Sequence, residues 1–157
     1  VAASMLSTPF LFIALTRWVM PRLNRMPTRS ADAIEEKNEI IVAGFGRFGQ
    51  VVARLLIARG FGVTLIDNNP NQVDFIRKLG FQAYYGDVSR LEVLEGAGIE
   101  STKLLVLATD DAEATLETAK LVKEKYPEVK ILARARGRTD GYALEEINLV
   151  AYLYRQD

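Results

Sequence analysis

Ile40-Ile41-Val42-Ala43-Gly44-Phe45-Gly46-Arg47-Phe48-Gly49 runs a short apolar, β-branched stretch straight into a GxGxxG turn, and a helical pattern follows to residue 59. In a strand–turn–helix setting each glycine has its own task. The first permits the tight turn, the second lets backbone approach a pyrophosphate, and the third lets helix and strand pack closely. The helix N-terminus adds unpaired N–H donors and a partial positive charge, which suit a phosphate. Asp67 ends the next apolar run, 18 residues after Gly49, where a carboxylate can accept hydrogen bonds from ribose hydroxyls and would repel a 2′-phosphate. The pattern therefore predicts NAD or an adenosine nucleotide in preference to NADP.

Outward from this turn the same alternation repeats. Strands are predicted at 40–43, 63–66, 82–85, 104–108, 129–133 and 149–154, with helices at 47–59, 70–79, 90–97, 111–125 and 139–147. Gly60 and Gly80 stand where two helices should end, Pro70 suits a first helical turn, and Pro127 follows the fourth helix. The predicted fold is α/β: a Rossmann-like, doubly wound parallel sheet of about six strands. In such sheets ligands bind at the carboxyl ends of the strands. That edge receives Gly86-Asp87, Thr109-Asp110-Asp111, and then Arg134 and Arg136 of ARARGR. Thr109 or Asp110 also suits a helix cap, and Asp87 a simple turn. The alternating arginines present two planar donors on one side of a strand, matched to carboxylate or phosphate, and equally to the domain's own acids or a second subunit.

The 157 residues are 49% hydrophobic and 25% charged, the composition of an ordered protein. No cysteine or histidine is present, which removes disulfides, thiolate chemistry, His-based triads and the usual Cys/His metal sites, so neither a catalytic residue nor a metal ligand is expected. Charge balances at 20 basic against 20 acidic residues, but unevenly. Arg17, Arg22, Arg25 and Arg29 give residues 1–30 four positive charges and no acid, leaving the body with sixteen basic residues against twenty acids. A mildly acidic body argues against nucleic-acid binding.

Residues 1–16, VAASMLSTPFLFIALT, are uncharged and precede Arg17-Trp18. At about 1.5 Å per residue they reach roughly 24 Å, short of a hydrocarbon core of about 30 Å. Arginines and Trp18 following the apolar run suit the end of a membrane helix leaving on the cytoplasmic side; an amphipathic helix packed on protein is the alternative. Residues 1–23 are thus expected to be a transmembrane or membrane-proximal helix end, 24–38 a linker, and 39–157 the nucleotide-binding domain.

IIVAGFGRFGQVVARLLIARG, RKLGFQAYYGDVSRLEVLEGAGI and ILARARGR together closely resemble the cytoplasmic nucleotide-binding domain (KTN or RCK type, also called TrkA-N) of the KefB/KefC glutathione-gated potassium efflux antiporters. SMLSTPFLFIALTRW resembles the end of the last membrane helix before that domain. The resemblance implies a regulatory module and no enzyme. It implies NAD(H) or AMP held by Gly44, Phe45, Gly46, Arg47, Phe48, Gly49, Asp67, Asn68, Asp87, Val88, Thr109 and Asp110. Arg47, Arg134 and Arg136 become candidates for glutathione or its S-conjugates. It further implies a homodimer, a transmembrane antiporter domain in a longer chain, a possible ancillary quinone-reductase-like subunit, and a bacterial inner-membrane location with the domain on the cytoplasmic side.

Two departures stand out. Where the family places a glycine before the sixth strand, this sequence has Glu146-Ile147-Asn148, and asparagine tolerates the left-handed turn. The sequence also stops at Asp157, where family members continue through helices that help build the dimer and the peptide site. A domain truncated at both ends is the expectation. The competing readings are the cofactor half of an NAD-dependent dehydrogenase and a soluble gating subunit of a potassium uptake channel.

Overall fold

The structure is a computed structural model that describes residues 30–35 and 37–146 and, for the backbone alone, 151–154. The apolar N-terminal helix expected before residue 24, Asn148 and the last residues lie outside the described residues. The chain divides at Ser30/Ala31, and all that follows belongs to the unit beginning at Ala31.

Among the described residues twelve short elements follow one another: β1 (Ile40–Ala43), α1 (Arg47–Ala58), β2 (Val63–Asp67), α2 (Pro70–Lys78), β3 (Ala83–Tyr85), α3 (Leu91–Gly96), a 3-10 turn (Ile99–Ser101), β4 (Leu104–Leu107), α4 (Ala112–Lys125), β5 (Lys130–Ala135), α5 (Arg138–Glu146) and β6 (Ala151–Tyr154). The six strands form one sheet in the order β3-β2-β1-β4-β5-β6, and each neighbouring pair is parallel. Sequence order reverses between β1 and β4, which makes the carboxyl end of that pair the switch point where ligands of such sheets bind.

Alternate residues of the central strands enter opposite cores. Ile40, Val42, Val63, Leu65 and Val106 pack with Phe45, Ala53, Val73 and Ile76 of the α1/α2 side. Ile41, Ala43, Leu105, Leu107, Ile131 and Ala133 pack with Leu94, Ala119, Val122 and Leu144 of the α3/α4/α5 side. Both faces of the central strands are covered, so β1 is apolar throughout and β2 is buried along its whole length, Thr64 and Asp67 included. Gly60 and Gly80 follow α1 and α2 at φ +84°, a backbone region that disfavours side chains. Far from the glycine turn, Lys125 and Tyr126 donate to Glu95 Oε1 at 2.6 and 3.0 Å and tie α3 to the end of α4. The Lys125 hydrogen bond holds the Glu95 carboxyl below its ordinary range.

The segment expected as a linker is, from Ala31 onward, fastened to the domain. Asp32 N–H donates to Tyr85 O at 2.8 Å, and Asp32 Oδ2 accepts from Tyr85 N–H at 2.7 Å and Arg77 Nη2 at 2.8 Å. Ile34 packs on the α3/α4/α5 core, and Asn38 Nδ2 donates to Thr64 Oγ1 at 3.2 Å. Charged and small residues of this stretch gave no apolar period, because single side chains and not a stripe attach it.

Candidate functional site

The β1–α1 turn is shaped by the close contacts its glycines permit. Gly44 sits at φ +91°, and a Cβ there would lie 2.9 Å from the backbone of Ala108 and Thr109. A Cβ on Gly49 would come within 2.0 Å of Gly44 O, so only a bare Cα lets α1 pack on the turn. Gly46 is the opposite case: a Cβ there would meet no protein atom within 4 Å. The first and third glycines therefore serve packing, and the second faces open space.

Distant side chains hold this turn in place. Phe45 N–H donates to Asp67 Oδ2 at 2.7 Å, and Asn69 N–H donates to the other carboxylate oxygen at 2.8 Å. Phe45 O accepts from Gln72 Nε2 at 2.8 Å and Gln50 Nε2 at 3.3 Å. Asp67, 9% exposed, thus welds the first turn to the second. A carboxylate offers about four lone-pair sites, so its two backbone bonds leave capacity for hydroxyl donors. The α1 helix opens on Gly46 with no side-chain cap and no acid in its first turn. Its leading N–H groups and the positive end of its dipole are left for an anion.

A cleft of about 390 Å³ lies over this turn, lined by Gly44, Gly46, Asp67, Asn68, Asn69, Gln72, Ala108, Thr109, Asp110 and Asp111. A side pocket of about 190 Å³ shares Asn68, Thr109 and Asp111 with it and adds Asp87, Val88 and Ser89. A trough of about 400 Å³ beside β3, lined by Glu35, Arg77 and residues 80–84, is comparable in size but lies away from the switch point.

Of the sequence-derived candidates, Gly44, Gly46, Asp67, Thr109 and Asp110 meet in the cleft, and Asn68 joins it to the pocket holding Asp87 and Val88. Phe45 is buried with the α1/α2 core, Phe48 packs against it, and Val88 is buried in the opposite core. Arg47 is exposed and does not line the cleft. Asp87 Oδ1 accepts from Ser89 N–H and Oγ–H at 3.0 and 2.7 Å, closing its turn. The α4 cap is Asp111, whose Oδ1 accepts from Ala114 N–H at 3.0 Å, and not Thr109 or Asp110. Thr109 instead shares a 2.7 Å hydrogen bond with Thr115. Arg134 Nη1 reaches Asp110 Oδ1 at 2.6 Å, and Arg136 Nη1 donates to the Asp110 carbonyl. Gln50, Asn69 and Gln72 escaped the sequence reading. Only Asn69-Pro70, a capping residue before a helix-opening proline, carried a local signal.

A family model described as the TrkA-N domain matches residues 40–152, from the first residue of β1 into β6. The chain belongs to the TrkA-N family. Its similarity extends to the glutathione-regulated potassium-efflux system protein KefC of Cronobacter sakazakii, 42% identical over 137 residues, covering 87% of this chain and 22% of that protein. KefC of Klebsiella pneumoniae is 43% identical over the same shares. The chain thus spans about a fifth of the length of the curated relatives it matches. Among solved structures it is similar to the Shewanella denitrificans Kef CTD in its AMP-bound form, at 38% identity and a TM-score of 0.68, covering 75% of this chain and 71% of that one. The TrkA-N domain of inner membrane protein ybaL from Escherichia coli, at 23% identity and a TM-score of 0.70 over 77% and 90% of the two chains, shares the fold.

Proposed function

We propose that this TrkA-N domain is the nucleotide-sensing regulatory part of a potassium:proton efflux antiporter. One observation carries the reading: an uncapped helix N-terminus, reached past a glycine with open space before it, stands beside a buried carboxylate with hydrogen-bonding capacity to spare. Those groups fit an adenosine nucleotide, AMP or NAD(H), with Gly46 and the head of α1 at phosphate, and Asp67 at ribose. The AMP-bound form of a Kef CTD at 38% identity supports an adenosine nucleotide as the ligand.

On this reading Gly44, Phe45, Gly49 and Phe48 shape the turn, and Asn68, Asp87, Val88, Thr109 and Asp110 border the nucleotide. Arg47, Arg134 and Arg136 are the candidates for glutathione or an S-conjugate; of these, Arg47 extends into solvent, and the other two would exchange Asp110 for the new anion. The domain acts as a homodimer attached to a transmembrane antiporter, on the cytoplasmic side of a bacterial inner membrane, with a possible quinone-reductase-like ancillary subunit. It gates and does not catalyse, since the chain supplies no histidine or cysteine to move a proton. An effector can gate only by binding two states unequally.

Calorimetric titration of the full chain with AMP, NADH and glutathione tests this. Nucleotide binding by the wild-type chain is expected. Failure to bind either nucleotide would remove the reading, and hydride transfer from NADH to small carbonyl compounds would transfer support to the dehydrogenase alternative.

A further inference from the structure

The β4–α4 loop brings an acid to the cleft wall, and two arginines from β5 and the residue just after it converge on that acid. Asp110 lines the cleft together with Gly46, the open glycine at the head of α1. Its carboxylate accepts from Arg134 at 2.6 Å while its carbonyl accepts from Arg136. The Arg136 N–H donates in turn to Asp140 Oδ2 at 3.2 Å. Arg134 is the more sheltered partner, its side chain 24% exposed against 79% for Asp110. It borders a hollow shared with Glu113, Thr115, Thr139 and Asp140.

The cleft carries three carboxylates, those of Asp67, Asp110 and Asp111. Asp67 spends its charge on two backbone donors, and Asp111 spends its on the α4 cap. Asp110 has neither outlet. Without a cation beside it, its negative charge would oppose any anion brought to the α1 N-terminus.

Resting on the nucleotide reading above, we propose that Arg134 is a positioning and charge-cancelling residue of the nucleotide cleft, neutralising Asp110 so that the site accepts the phosphate and not merely the nucleoside. Arg134 acts through Asp110 and need not touch the ligand. Its contribution therefore appears as a preference for AMP over adenosine, and it weakens with added salt because the pair is partly exposed.

The test measures the ratio of AMP to adenosine affinity on the full chain at low ionic strength. Arg134→Gln is expected to lower that ratio about three- to fivefold, the scale of a partly exposed charge pair. Adding Asp110→Asn should return the ratio to within about twofold of wild type, a non-additivity that loss of packing would not give. An unchanged ratio in Arg134→Gln, or no recovery in the double variant, would overturn the proposal while leaving nucleotide binding intact. If Arg134→Gln does not fold, Asp110→Asn alone decides: the ratio should hold or rise, and a fall would overturn the proposal. A wild-type chain that binds no AMP overturns this proposal and the reading beneath it together.

Discussion

Two turns leave the sheet side by side at its switch point, and they solve opposite problems. β1 and β4 are paired with Ala43 opposite Leu107, so the turns that follow begin at the same level. The β4–α4 turn caps its own helix, though Arg134 and Arg136 also reach its Asp110: Asp111 caps α4, Thr115 Oγ1 donates to Asp111 O at 2.7 Å, and Thr109 bonds Thr115. The β1–α1 turn supplies no cap of its own and is held from outside by Asp67 and Gln72, with Gln50 of α1 reaching back to it. A helix end can be left open to a ligand only if its loop is fixed by residues that do not compete for the same donors. The neighbouring turn, whose helix carries its own Asp111 cap, supplies a wall instead.

The contrast can be broken most violently at Gly49. Gly49→Val sets a side chain against Gly44 O, and a loss of about 3 kcal/mol or more is expected in chemical denaturation; a variant as stable as wild type would mean the turn is not packed as described. Asp67→Ala removes the weld between the two glycine-side turns and strands two backbone donors, for an expected cost of about 2–3 kcal/mol together with loss of AMP binding. Gly46→Ala separates stability from function. Its Cβ meets no protein atom, so stability should change by less than about 1 kcal/mol while AMP affinity falls at least about tenfold, the signature of a methyl in the phosphate's place. At the self-closed turn, Asp111→Ala should cost about 1 kcal/mol, the usual value of a helix cap, read as a lowered thermal midpoint.

The strand and helix alternation was legible because buried parallel strands give apolar runs and surface helices give a 3.6-residue period. Every element predicted from Ile40 onward is present; only β1 keeps both predicted ends, the others shifting by a residue or two, and the N-terminal helix lies outside the described residues. Gly44 and Gly49 were legible because steric necessity leaves a residue type behind. The paired arginines announced an anion, yet the sequence left its source open, and the anion within reach is the domain's own Asp110. Gln72 and Gln50 carried no mark, since a glutamine reaching the carbonyl of Phe45 looks in sequence like any other on a helix surface. Asp32 was equally silent. Its partners are Arg77, 45 residues on, and Tyr85, 53 residues on, and nothing near it in sequence hints at either.

That aspartate makes the start of the folded unit a hydrogen-bonded hem on the sheet's border. β3 ends the strand order, and edge strands invite unwanted pairing with other chains. By claiming both the amide and the carbonyl of Tyr85, Asp32 works as a selvedge that keeps the weave from catching. Trimming the polypeptide back to Glu39 would unpick it, and the shortened product should be judged by its tendency to self-associate as much as by its melting point.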